Sequence, residues 1–319
     1  MKKQPTFQYG GQAVIEGVMM RGRDYLAVAV RKTNGEIVLK KDSVGSITKK
    51  YPFLKTPFIR GVVALCESFT VGMKTLMFSA DQFMEEEDGA AGLKPWESTL
   101  MIVVALAMTV LLFVVLPLFG RSLIAKVLPG VFWGNLSESF LRILILVGYI
   151  LSISFLKDIQ RVFAYHGAEH KVINTYEAKE ELTVENTRKF TTFHPRCGTS
   201  FLLFVVVVSA VIFSFLKYDS ALMRLATRIA LLPVVAGISY EIIRFTGKNQ
   251  AFFLWRWLSQ PGFWLQRITT REPDDQMIEV AIASLGAVLE EEVPGFVNPI
   301  KIEQPLITEV VTVEPVVAG

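Results

Sequence analysis

The chain has 319 residues, 51% of them hydrophobic and 20% charged, with a formal net charge of +3 and a mean hydropathy of +0.41. That apolar balance excludes an ordinary soluble globular protein and points to a membrane core with flanking segments. The basic residues are spread out and do not alternate with aromatic ones, which excludes a nucleic-acid stripe, and the two distant cysteines, Cys66 and Cys197, exclude a disulfide framework and fit a reducing compartment.

The first residues, Met1 to Pro5, lead into no apolar run, so no cleavable signal peptide is expected and insertion falls to an internal segment. Residues 6–23 are punctuated by Gly10, Gly11, Gly17 and Gly22 around Glu16. The spacing is wrong for a dinucleotide fingerprint and fits turn glycines; the functional alternative is a ligand-approaching loop that uses Glu16 or Arg21. Residues 26–31 alternate as a strand, Asn34-Gly35 marks a tight turn, and residues 36–41 return as its partner. After Pro52 and Pro57, residues 58–81 read as a largely apolar helix. Its Arg60, Glu67 and Lys74 recur every seven residues, a wet stripe suited to an interfacial helix rather than a full span. Glu85, Glu86, Glu87 and Asp88, with Gly89 and Gly92, read as an acidic linker.

Residues 99–119, 140–156, 200–216 and 222–243 are four apolar runs near the ~20 residues needed to cross a bilayer. Lys157, Arg161, Lys171, Lys179, Arg188, Lys189 and Arg196 crowd the central loop, which places that loop and both termini in the cytoplasm of a multi-pass plasma-membrane protein. Near the end of the fourth run, Glu241 is an ionisable residue at membrane depth, either a functional group or a headgroup-level partner of Arg244. Phe252, Phe253, Trp255, Trp257, Phe263 and Trp264 suit an interfacial helix broken at Pro261-Gly262. A further helix opens after Arg271 and runs to about Glu292, with Asp274 and Asp275 in its first turn; capping and metal binding explain that pair equally well. From Val293 the tail lacks periodicity and is expected to be disordered.

The chemistry concentrates in the central loop. The chain has three histidines, and all of them fall in Tyr165-His166-Gly167-Ala168-Glu169-His170-Lys171 and His194-Pro195-Arg196-Cys197-Gly198. On a helix, His166 and His170 stand about 40° apart on one face and can bite one ion. His194 and Cys197 can complete a tetrahedral zinc shell from the other end of the loop. The string His166-x-x-Glu169-His170 matches the inverted zinc-peptidase pattern, whose glutamate is a general base. Bis-histidine haem is a weaker fit, since two rings on one face cannot take opposite sides of one haem.

The runs Gly11 to Arg21, Tyr165 to Lys171, His194 to Ser200 and Arg271-Glu272-Pro273-Asp274-Asp275 resemble the YqhQ-like family of bacterial membrane proteins, over nearly the whole chain. The resemblance implies a predicted metal-dependent enzyme and names no substrate. The expected fold is mainly α, a polytopic helical membrane protein with about four transmembrane helices, a small N-terminal region containing a β-hairpin, and a C-terminal amphipathic helix. Its parts are an N-terminal cytoplasmic or interfacial region (1–98), a membrane domain (99–250) carrying the metal loop (157–199), interfacial and C-terminal helices (251–292) and a tail (293–319). The expected function is a zinc-dependent hydrolase acting at the cytoplasmic membrane surface, with Glu169 catalytic and metal ligands drawn from His166, His170, His194 and Cys197. The alternative is a non-enzymatic assembly factor or transporter accessory with a structural metal site. Membrane lipids are the expected partners, and homo-oligomerisation is compatible with this reading.

Overall fold

The computed structural model describes residues 9–44, 51–57, 59–87, 95–124, 130–218, 220–248, 252–300, 302 and 307–308. The expected hairpin forms as β3 (Tyr25–Arg31) and β4 (Ile37–Ser43). The glycine-punctuated stretch before it, read as turns, is instead β1 (Gly10–Val14) and β2 (Gly17–Arg21), joined by a turn at Ile15 and Glu16 in which Glu16 takes a φ of 49°. Successive strands pair antiparallel in the order β1-β2-β3-β4, and the short β5 (Ile307–Thr308) adds in parallel at the β4 edge.

Side chains alternate along these strands, yet both faces are apolar. Val18, Met20, Ala27 and Ala29 point to one face, and Met19, Leu26, Val28 and Val30 to the other. Val71 and Phe78 of α1 (Ile59–Glu87) cover the second face. Against the first lie α5 (Lys157–Glu177) and the C-terminal helix α10 (Asp275–Glu292), whose residues Val280 to Leu289 are all buried. Segments far apart in sequence therefore share one core. The stretch 293–300, expected to be disordered, belongs to it too: Phe296 and Ile300 pack on the core, and buried Asn298 donates to the Ala283 carbonyl. Most of the tail beyond lies outside the described residues, as do Asp88, Gly89 and Gly92 of the expected acidic linker, whose Glu85, Glu86 and Glu87 belong instead to α1.

The apolar helices follow the chain as α2 (Pro95–Val110), α3 (Leu116–Ile124), α4 (Val131–Ile153), α7 (Gly198–Ser214) and α8 (Ala221–Lys248), with the short α6 (Val184–Arg188) between α5 and α7. A π-helical turn, Leu111–Val115, joins α2 to α3 just before Pro117, which has no N–H to donate and whose ring needs the widened turn. Among the described residues four stretches are long and apolar enough to cross a membrane: Ile59–Phe83, Thr99–Ile124, Val131–Ile153 and Leu222–Gly247. The number matches expectation, but the membership differs. Expected span 200–216 is the 17-residue α7, about 25 Å long and short of the ~30 Å hydrocarbon core. In its place stands α1, expected to be interfacial. Its first half lies on α8, with Gly61 against Gly237 and Tyr240, and its second half lies under the sheet. The aromatic segment forms one continuous helix, α9 (Phe253–Thr269), rather than breaking at Pro261-Gly262.

The contact that seats the candidate site is between α5 and the link from α9 to α10. The Arg271 N–H donates to the Phe163 carbonyl at 2.9 Å, and a Cβ on Gly167 would overlap the Arg271 carbonyl oxygen. Gly167→Ala is therefore expected to cost about 1–3 kcal/mol. Gly148→Ala in α4, where a Cβ meets nothing within 4 Å, serves as the control. Thermal unfolding of both variants in detergent checks this; a wild-type midpoint for Gly167→Ala would contradict the seating.

Candidate metal centre

One face of α5 carries Ala164, Ala168 and Val172 into the core, which leaves the adjacent face, with His166 and His170, turned toward residues 189–197 and the end of α9. The His166 Nδ1 lies 2.8 Å from the Thr269 carbonyl oxygen and the His170 Nδ1 lies 2.5 Å from that of Thr192. A carbonyl only accepts, so each ring holds a proton on Nδ1 and leaves Nε2 for the cluster. The His166 Nε2 stands 3.1 Å from the Cys197 Sγ. Donor atoms of His166, His170 and Cys197 all lie within 4.8 Å of one another, the group of metal-binding geometry found among the described residues.

The opposing loop is held by buried amides. Gln266, fully buried, accepts from the His194 N–H at 2.9 Å and donates both to the His194 carbonyl and to the Ser200 Oγ at 2.9 Å. Asn174 of α5 donates to the Thr191 and Phe193 carbonyls at 2.9 and 3.1 Å. Cys197 stands at the N-cap position of α7 without a side-chain capping bond, and its Sγ also meets the Thr199 Oγ1 at 3.1 Å.

Burial opposes charge at Cys197 and at His166, but their mutual attraction wins. Despite the burial penalty, His166 and His170 hold the Cys197 thiol well below its usual range, and Cys197 with Glu169 lifts His166 to about 9. Metal-free, the pair is thus a thiolate and an imidazolium. Burial raises the Glu169 carboxyl, against the pull of His170 and His166. This carboxylate sits 4.0 Å from the His166 Nε2 and packs on β1, where a Cβ on Gly11 would come within 2.9 Å of its Cγ. Gly11 is therefore a residue of the site. A cavity of about 470 Å³ opens between these groups and β1, lined among others by Gly11, Gln12, Ser68 and Leu202.

His194, a candidate ligand from sequence, stands apart. Its ring is 5.6 Å from that of His170, and its Nε2 faces Glu177 at 3.7 Å. Burial keeps His194 neutral, while His194 and Arg196 overcome burial to hold Glu177 below the usual carboxylate range. The remaining sequence candidates are engaged elsewhere. Glu16 is clamped by Arg161 and meets the Tyr165 hydroxyl at 3.3 Å; Arg21 pairs with Glu67 at 2.7 Å. Glu241 pairs with Arg60 of α1 at 2.7 Å. Asp274 caps α10 through the Met277 N–H at 2.8 Å, and Asp275 pairs with Arg188. Sequence reasoning missed Gly11, Gln266, Thr199 and the two anchoring carbonyls. Gln266 is one of two glutamines within the aromatic run of α9, the other being Gln260, and nothing local singles it out; main-chain acceptors leave no signal at all.

A family profile described as "Protein of unknown function (DUF1385)" matches residues 56–291. The chain is similar to "Uncharacterized protein YqhQ" of Bacillus subtilis (strain 168), at 37% identity over 299 residues, covering 89% of this chain and 93% of that protein. No solved structure matches.

The charge state of the cluster gives a pH signature. His166, raised from 6.5 to about 9, contributes stability that is complete below 6.5 and lost as pH rises to 9. Cys197, lowered from 9.0, contributes stability present above 9 and lost as pH falls through its folded value. Below about 9, and above both 6.5 and the lowered value of folded Cys197, the two slopes cancel, because folded and unfolded chains each hold one proton on the pair. The stabilisation by this pair is expected to be level across that window and to fall on further acidification. In metal-free Cys66→Ser protein the ultraviolet absorbance of the Cys197 thiolate should persist at pH 7. A thiol midpoint near 9 would contradict the pairing.

Proposed function

The chain belongs to the DUF1385 family, and from that premise we propose that it is a zinc-dependent hydrolase at the cytoplasmic face of the membrane, with the metal held by His166, His170 and Cys197. The observation that carries this reading is the convergence of two imidazole nitrogens and one cysteine sulfur within 4.8 Å, each imidazole anchored through Nδ1 to a carbonyl. Two imidazoles and one sulfur suit zinc, and anchored Nδ1 groups are how ligating histidines are oriented. Three protein ligands rather than four favour catalysis over a closed structural site. A zinc ion held there supplies a Lewis acid and lowers the pKa of a water.

The chain's own groups do the rest. Glu169 is the carboxylate of the cavity wall and is the group placed to take a proton there. Gly11 and the β1 backbone shield it from bulk water. His194, kept neutral beside Glu177, fixes the far wall. A second reading, cysteine nucleophilic chemistry, is favoured by one observation: the Cys197 thiolate sits 3.1 Å from the His166 Nε2 at the N-terminus of α7. The two differ over metal. The membrane-assembly or transporter-accessory reading differs over Glu169.

Detergent-purified full-length protein is expected to carry about one zinc per chain. His166→Ala, His170→Ala and Cys197→Ala should each lose it, while His194→Ala should keep it. Glu169→Gln should keep its metal and fail to complement a deletion strain, with a loss on the order of a hundredfold or more once an assay exists. Metal-free wild-type protein that still complements would favour the cysteine reading; full complementation by metal-loaded Glu169→Gln would leave a structural site. Orientation is tested separately: a cysteine at exposed Glu180, in Cys66→Ser protein, should resist impermeant thiol reagents outside intact cells. Labelling without permeabilisation would reverse the topology.

A further inference from the structure

The end of the helix bundle opposite the histidine cavity holds a second concentration of charge, which the proposed reaction does not use. α7 runs from Cys197 to Ser214, so its two ends lie about 25 Å apart. Its far end is sealed by buried Asn135 of α4, which donates to the Phe213 and Leu216 carbonyls at 2.9 Å. Because α7 stops short there, arginines from three other helices fill the level it leaves.

Glu138, only 1% exposed, is the centre of this group. Arg228 of α8 grips both of its oxygens, Arg142 of α4 donates to it at 2.8 Å, and the Arg121 Nη1 of α3 stands 3.8 Å away. The Arg121 guanidinium lies against Gly134, where a Cβ would come within 2.9 Å of its Nε. Arg224 completes the set, its guanidinium 5.4 Å from the Tyr218 ring, with no ion pair among the described residues.

Among the described residues, four guanidiniums against one carboxylate leave a net of +3 in a largely buried place. Each arginine also carries a buried nitrogen with no acceptor among the described residues: Nη1 of Arg121, and Nε of Arg142, Arg224 and Arg228. A structural ion pair needs one arginine for one carboxylate, and surplus charge without acceptors destabilises a membrane helix bundle. Glu138 and Arg228 each lie about two turns inside their helices, so these groups sit below the helix ends. What such a site lacks is an anion with several oxygens. Phosphate fits best, since guanidinium groups pair with its oxygens in the bidentate manner.

We propose that Arg121, Arg142, Arg224 and Arg228, positioned by Glu138, bind a phosphate group at the end of the bundle away from the histidine cavity. The group is carried by a lipid headgroup or is free phosphate. Either source places its oxygens among the four unaccepted nitrogens, while Glu138 keeps the arginines together.

The test uses the full-length protein in neutral, phosphate-free detergent, titrated with inorganic phosphate, with phosphatidic acid, and with diacylglycerol of the same chains. Unfolding midpoint and native mass spectrometry are the readouts. Phosphatidic acid or phosphate should raise the midpoint and bind, and diacylglycerol should not. Phosphatidic acid binding at least tenfold tighter than phosphate assigns a lipid headgroup; equal affinities assign the free ion. Arg224→Gln, which breaks no carboxylate pair, should weaken binding at least tenfold while the ligand-free midpoint stays level or rises, because an unpaired cation is gone. Arg121→Gln repeats the measurement should Arg224→Gln fail to fold. No response to either phosphate source, binding unchanged in the folded variant, or a fall in its ligand-free midpoint would each overturn the proposal.

Discussion

Two hydrogen bonds decide what the central histidines can do. With Nδ1 of His166 tied to the Thr269 carbonyl and Nδ1 of His170 tied to that of Thr192, neither ring is free to turn, and both leave Nε2 toward Cys197. The carbonyls are themselves fixed from outside the site. Thr269 ends α9, which is packed against α5 where Gly167 meets Arg271, and the Thr192 segment is strapped down by Asn174 and Gln266. The cluster is thus a consequence of how α5 is held between the sheet, α10 and the end of α9. A substitution at any of these supports acts on the site through ring orientation, since the anchoring partner of a ligating histidine sets its tautomer and direction.

Much of this was legible in the sequence where local rules suffice. The β3–β4 hairpin follows from Asn34-Gly35 between alternating strands, and α10 begins where Asp274 offers a cap. His166 and His170 share a helical face because they are four apart. Where tertiary contacts overrule local pattern, the reading failed. β1 and β2 looked like turns because their glycines serve close approach to neighbouring groups, Gly11 to Met19 and Glu169, while the sheet is buried on both faces and shows no polar alternation. The tail 293–300 looked featureless because its order comes from Asn298 reaching into α10. Spacing also could not reveal that Gln266 pins the His194 backbone and that its ring turns toward Glu177, outside the group formed by His166, His170 and Cys197.

The short α7 links the two polar features of the molecule. Its first turn delivers Cys197 to the histidines, and its early end, sealed by Asn135, leaves room for the arginines around Glu138. Both clusters hold charge away from water: metal-ligating groups gathered at one end, and at the other guanidiniums that outnumber the carboxylates among the described residues. Buried groups of this sort are costly unless paired, and the cost is met when the complementary ion binds. This shared logic makes the two ends of α7 the places where ligands belong, and leaves the apolar helices between them as the scaffold that keeps them about 25 Å apart.

The most direct measurement of the central claim is the X-ray absorption spectrum of the zinc-loaded full-length protein. The account predicts one sulfur at about 2.3 Å and two imidazole nitrogens at about 2.0 Å, with a light non-protein atom completing four-coordination. That shell should be unchanged in His194→Ala. A third imidazole that disappears in His194→Ala, or a shell without sulfur, would contradict it.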